Sequence, residues 1–109
     1  MADQQALLSA FADPTRQAVL NLLRRKSLTV GELADRLPVS RPAVSQHLRV
    51  LENAGLVEVS HRGTRHYFSL NPAKLSELRG FIDAMWRDAL VAFSDSVEKE
   101  ARKRARTKT

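Results

Sequence analysis

The chain has 109 residues, a formal net charge of +6 and no cysteine. This length fits one domain with a limited core, so oligomerisation is expected, and the lack of cysteine excludes disulfides, thiolate metal sites and cysteine nucleophiles. No apolar run approaches the roughly 20 residues that span a bilayer, and MADQQALLSAF lacks the basic start and apolar stretch of a signal peptide, so a cytoplasmic protein with no membrane partner is expected.

The charge is unevenly spread: residues 1–98 hold 12 Lys and Arg against 11 Asp and Glu, and residues 99–109 hold six against one. The excess sits at the C-terminal end, where it can add phosphate contacts that are independent of base sequence.

In chain order, Gln4 to Phe11 reads as a short helix with Ala6, Leu7, Ala10 and Phe11 at helical spacing. Asp13-Pro14 restarts the helix, with Asp13 as N-cap and Pro14 at the first helical position. This second helix is predicted to reach about Arg25 with Ala18, Val19, Leu22 and Leu23 inward, and Arg24, Arg25 and Lys26 suit its C-terminal dipole. Thr29-Val30-Gly31-Glu32 has the form of a capping box. A short third helix follows, with Leu33, Ala34 and Leu37 inward and Pro38 stopping it.

Ser40 can cap a fourth helix that Gly55 can end in the left-handed conformation. At about 100° per residue, Ala43, Val44, Leu48, Val50, Leu51 and Ala54 share one arc. Arg41, Pro42, Ser45, Gln46, Arg49, Glu52 and Asn53 share the other. Its Arg, Ser and Gln side chains are those that read base edges and hold phosphates. His47 falls inside the apolar arc and is read as packed and hydrogen-bonded rather than as a metal ligand. A short helix, a tight turn and a capped longer helix have the spacing of a helix-turn-helix.

After Gly55 the period changes. Val57 with Val59, then Tyr67 with Phe68, alternate around Gly63-Thr64, which predicts a two-stranded hairpin with His61 and His66 facing each other. Its tip, HRGTRH, presents Arg62 and Arg65. Asn71-Pro72 then opens a last helix predicted to run to about Arg102, with an apolar stripe that includes Leu78, Ile82, Met85, Trp86, Ala89, Leu90 and Phe93. At about 1.5 Å per residue it exceeds what one small domain needs. The stripe, together with the apolar face of residues 6–11, is expected to bury itself against a second copy in a C2 homodimer.

These segments resemble the ArsR/SmtB family of bacterial winged-helix repressors. AFADPTRQAVLNLL, LTVGELADRLPVSRPAVSQHLRVLENAGLV and GTRHYFSLNP carry the resemblance over nearly all the chain except its C-terminal tail. It implies a dimeric repressor on an imperfect inverted repeat in double-stranded promoter DNA, often its own. In metal-sensing members a Cys-Val-Cys run stands where Thr29, Val30 and Gly31 stand here. A second family site uses Asp and His on the last helix, where this chain has Asp83, Asp88 and Asp95 but no His. The chain therefore resembles the metal-ligand-free, SdpR-like branch, and no metal or other cofactor is expected.

The resulting expectation is a mainly α fold with a small β-hairpin wing, a winged helix-turn-helix over residues 1–102 with dimerisation helices at about 4–11 and 72–102. Residues 103–109 are expected to form a flexible basic tail. Ser40, Arg41, Pro42, Ser45, Gln46, Arg49, Arg62 and Arg65 are assigned to DNA, and Leu7, Phe11, Leu78, Ile82, Met85, Trp86, Ala89, Leu90 and Phe93 to the dimer interface. The alternatives are a winged-helix module for protein or RNA, and a sensor that encloses a small-molecule effector beside Met85, Trp86 and Phe93. No constellation of carboxylates or histidines and no phosphate-binding glycine loop supports an enzyme.

Overall fold

The computed structural model describes residues 4–107. The elements are α1 (Gln4–Phe11), α2 (Pro14–Leu22), α3 (Val30–Asp35), α4 (Arg41–Asn53), β1 (Val57–Arg62), β2 (Arg65–Leu70) and α5 (Pro72–Thr107). The chain divides into two compact units between Leu78 and Arg79.

In the first unit the local signals act as predicted. Asp13 Oδ1 accepts the Arg16 backbone N–H at 3.0 Å and opens α2. Glu32 N–H donates to Thr29 Oγ1 at 3.2 Å while Thr29 N–H donates to Glu32 Oε1 at 3.1 Å, the reciprocal pair that starts α3. Ser40 Oγ accepts the Ala43 N–H at 3.3 Å at the head of α4. Gly55, at φ +84°, ends α4: Leu56 N–H reaches Leu51 O and Gly55 N–H reaches Glu52 O, both at 2.9 Å. These two bonds form a Schellman motif, which satisfies carbonyls that a helix end otherwise leaves open. Asn71 caps α5 by accepting from the N–H groups of Ala73 and Lys74.

The core lies under α4, which packs on α1, α2, α3 and β1. Val44, Leu48 and Leu51 of α4 meet Leu7, Val19, Leu33 and Leu56, and each is essentially inaccessible. Burying an aliphatic side chain of this kind contributes about 1.5–3 kcal/mol, so the inner stripe of α4 fixes its orientation and leaves its other face outward. β1 and β2 pair antiparallel from Val57↔Leu70 to Arg62↔Arg65, which puts His61 opposite His66 as predicted. Of the two turn residues, Gly63 alone has a positive φ, +64°, the sign pattern of a type II′ hairpin turn.

Several expectations change. The second helix ends at Leu22 rather than near Arg25. Arg24 N–H bonds Asn21 O at 3.3 Å in a tighter turn, and the chain then delivers Leu28 to the open side of β2. Leu28 and Phe68 exchange both backbone bonds, at 3.0 and 2.8 Å, so the wing has a third, one-residue partner that the sequence pattern does not announce. Leu20, not counted among the inward residues, is buried, whereas Val50, placed on the apolar arc, is 41 % exposed because it flanks the Val44–Leu48–Leu51 stripe. Leu7 and Leu78, expected at a dimer surface, are 1 % and 3 % exposed within this one chain. Their area is already covered by their own core and is not free for a second copy.

The second unit, residues 79–107, is helical throughout the remainder of α5. Ile82, Met85, Trp86, Leu90, Phe93 and Val97 are exposed along it. The helix also persists past Arg102 through Thr107, so Lys103 to Arg106 are helical where a flexible tail was expected, while residues 108 and 109 lie outside the described residues. Cations in the last turn favour this persistence, because they oppose the negative end of the helix dipole.

Candidate nucleic-acid interface

The α3–turn–α4 unit and the wing hold the predicted DNA residues. Ser40, Arg41, Pro42, Ser45, Gln46 and Arg49 are all exposed. They share the side of α4 opposite Val44, Leu48 and Leu51, because the 3.6-residue period that sends those three inward turns these outward. Among the described residues Arg49, exposed on this face, forms no ion pair or hydrogen bond.

Arg41 is arranged differently. Its guanidinium lies over Gly31 of α3, so close that a Cβ at Gly31 would stand 3.0 Å from Nη2. Arg41, Arg65 and His66 border a surface cleft of about 550 Å³ with Thr29, Gly31, Glu32 and Asp35. Glu32 stays ionised there, because the Thr29 backbone N–H donates to its carboxylate and holds it below the ordinary value of 4.5.

At the wing tip Arg62 and Arg65 stand directly opposite each other. Like charges in that register repel. Arg62 turns onto the face of Tyr67, with its guanidinium carbon 4.6 Å from the ring centroid, and makes a long 3.5 Å contact with Ser27 Oγ. A cation over an aromatic face gains about 0.5–1 kcal/mol at an exposed site. Arg65 has no ion pair among the described residues and lines the cleft with Arg41, so the structure brings Arg41 and Arg65 to one place and Arg62 to another.

His47 is half-buried and has polar company, as its position in the apolar arc predicts. Its Nδ1 lies 3.4 Å from Arg16 Nη1 and 4.0 Å from Asp13 Oδ1. Arg16 is the residue whose role the sequence pattern does not reveal. Its Nε donates to Ala10 O at 2.6 Å and its Nη2 to Ser9 O at 3.2 Å, so one guanidinium joins the end of α1, the cap of α2 and the back of α4. The only signal for it is its place three residues after the N-cap in Asp13-Pro14-Thr15-Arg16. Among the described residues no group of three or more His, Asp or Glu is placed to hold a metal ion. No helix there is long and apolar enough to cross a membrane.

Residues 13–59 match the family described as bacterial regulatory protein, arsR family. The chain is 47 % identical over 91 residues to the HTH-type transcriptional regulator Rv2034 of Mycobacterium tuberculosis, covering 84 % of this chain and 85 % of that one. It is 34 % identical over 71 residues to the transcriptional repressor SdpR of Bacillus subtilis, covering 65 % and 79 %. Among solved structures, a possible transcriptional regulator for arsenical resistance superposes with a TM-score of 0.72 at 43 % identity, over 80 % of this chain and 94 % of that one. An ArsR-like transcriptional regulator from Rhodococcus sp. RHA1 gives 0.69 at 33 % identity, over 84 % and 90 %. With its capped α3–α4 pair, its hairpin wing and these matches, the chain belongs to the ArsR family and is a winged helix-turn-helix transcription regulator, a DNA-binding protein and not an enzyme.

Proposed function

We propose that the chain is a homodimeric repressor that binds an inverted repeat in promoter DNA, with one α4 in the major groove of each half-site. The observation that carries this reading is the outward face of α4, where Arg41, Ser45, Gln46 and Arg49 are exposed and Arg49 is unengaged among the described residues. Arginine and glutamine pair bidentately with guanine and adenine edges, and serine bonds either. Ser40 and Pro42 stand at the head of α4, where the positive end of the helix dipole favours a phosphate. Arg65, beside Arg41, and Arg62, on the other side of the wing tip, each contact the flanking phosphate backbone.

The dimer reading rests on the second unit. Trp86 and Phe93 are 65 % and 67 % exposed, and Ile82, Met85, Ala89 and Leu90 accompany them along the same helix. An apolar stripe of that size on one chain marks a contact surface, and a second copy of the same helix is complementary to it in a two-fold arrangement. Half-buried Phe11 of α1 stays assigned to this interface, and Leu7 and Leu78 are withdrawn from it. SdpR is named a repressor, which supports the sign of regulation proposed here.

Fluorescence anisotropy on the tightest duplex selected from a randomised pool tests the reading face. Arg49→Ala should lose about 1–3 kcal/mol on that duplex and relax its preference at one position per half-site. Unchanged affinity and unchanged preference would remove Arg49 from the base-reading set.

A further inference from the structure

The body of this DNA-binding chain carries almost no net charge. Residues 1–98 hold 12 cations against 11 anions, so nearly all of the +6 resides in the last 11 residues. Attraction to the phosphate backbone supplies most of the sequence-independent affinity of a DNA-binding protein, and little net charge in the body is available for it. The structure shows how the remaining charge is presented. Because α5 continues to Thr107, Lys99, Arg102, Lys103 and Arg106 fall at helical positions i, i+3, i+4 and i+7, which is one face of the helix. They border a single surface groove of about 450 Å³ together with Ser96 and Glu100.

Stabilisation of the helix end explains only part of this stripe. The dipole acts within the last turn, where Arg104 and Arg106 lie. Lys99 and Arg102 stand further back. Arg102 makes one ion pair with Glu98, at 4.0 Å with both side chains exposed, an interaction worth little in water. Lys99 to Arg106 spans about 10 Å along the helix axis, and an equal length of duplex carries about six phosphates. All four cations therefore have acceptors within reach along one stretch of backbone.

We propose that the last two turns of α5 are a second phosphate-binding element, which holds duplex DNA without reading its sequence and supplies affinity that the near-neutral body lacks. The proposal rests on the chain binding DNA but not on which residues of α4 read bases.

The test uses the full chain with K99Q/R102Q/K103Q/R106Q. Glutamine has nearly the helix propensity of lysine and arginine, and circular dichroism checks that helicity is retained. Affinities for the selected duplex and for an unrelated duplex of equal length are measured from about 50 to 200 mM salt. The variant's plot of log affinity against log salt should flatten by about 0.9 for each phosphate it no longer neutralises, up to about 3.6 per chain. Over that salt range the wild type would then lose on the order of 100-fold more affinity than the variant for each chain whose stripe is engaged. The ratio between the two duplexes should stay the same. Equal slopes for wild type and variant would overturn the proposal. Equal slopes together with retention of the wild type on phosphatidylserine-rich vesicles would overturn it in favour of a membrane surface. If Arg49→Ala leaves preference intact while the stripe variant still flattens the slope, the reading face is wrong and the phosphate element stands.

Discussion

Replacing Arg16 with leucine should destabilise the first unit by about 2–4 kcal/mol, although Arg16 touches no predicted DNA residue. Its guanidinium donates at 2.6 Å to Ala10 O and at 3.2 Å to Ser9 O, and approaches His47 Nδ1 at 3.4 Å and Asp13 Oδ2 at 4.0 Å. The side chain is 17 % exposed. Hydrogen bonds from a charged group are worth about 1.5–3 kcal/mol each. The Ala10 bond is partly buried and counts near that range; the Ser9 bond is exposed and counts for less. Leucine returns some apolar contact but leaves both carbonyls without their donor. Urea melts at fixed protein concentration measure the loss, since dimerisation makes stability depend on concentration. Arg16→Lys, which keeps the charge but loses the fork, should recover part of the deficit. A cycle of Arg16→Leu with His47→Gln should show coupling, because the two side chains touch across 31 positions of sequence. If Arg16→Leu melts within about 0.5 kcal/mol of wild type, as an ordinary surface substitution does, the bridging role of this guanidinium is refuted.

Gly55→Ala should cost about 1–2 kcal/mol, because Gly55 sits at φ +84° and a new Cβ would meet the Lys74 side chain at 3.1 Å; an unchanged thermal midpoint would contradict this. Acid should weaken the fold through two caps. The Arg16 backbone N–H holds the Asp13 carboxyl below its ordinary 3.8, and the Thr29 backbone N–H holds Glu32 below 4.5. A depressed carboxylate adds stability above its ordinary value and loses it as pH falls through the folded value. The melting midpoint should therefore drop below about pH 4.5, and Asp13→Asn with Glu32→Gln should flatten that limb; identical acid profiles would disprove the assignment. Trp86, the single tryptophan, should shift its emission to the blue as concentration rises and the stripe is covered. A dimer seen by sedimentation with unshifted emission would place the interface elsewhere.

The features legible in the amino-acid order are local ones. The starts of α2, α3, α4 and α5, the stop at Gly55 and the turn at Gly63 depend on residues within three or four positions of one another, so the roles of Asp13, Thr29, Ser40 and Asn71 follow directly from their neighbours. The outward face of α4 is legible for the same reason, since Val44, Leu48 and Leu51 leave only one inward side. Other features exist only once the chain has folded. Leu28 joins Phe68, and Arg16 meets His47, because separate elements arrive at the same place. Leu7 and Leu78 carry the same apolar pattern as Trp86 and Phe93, and hydrophobic periodicity states that a face will be covered without stating by what. Packing answers that question. It covers Leu7 and Leu78 within their own chain and leaves Trp86 and Phe93 exposed.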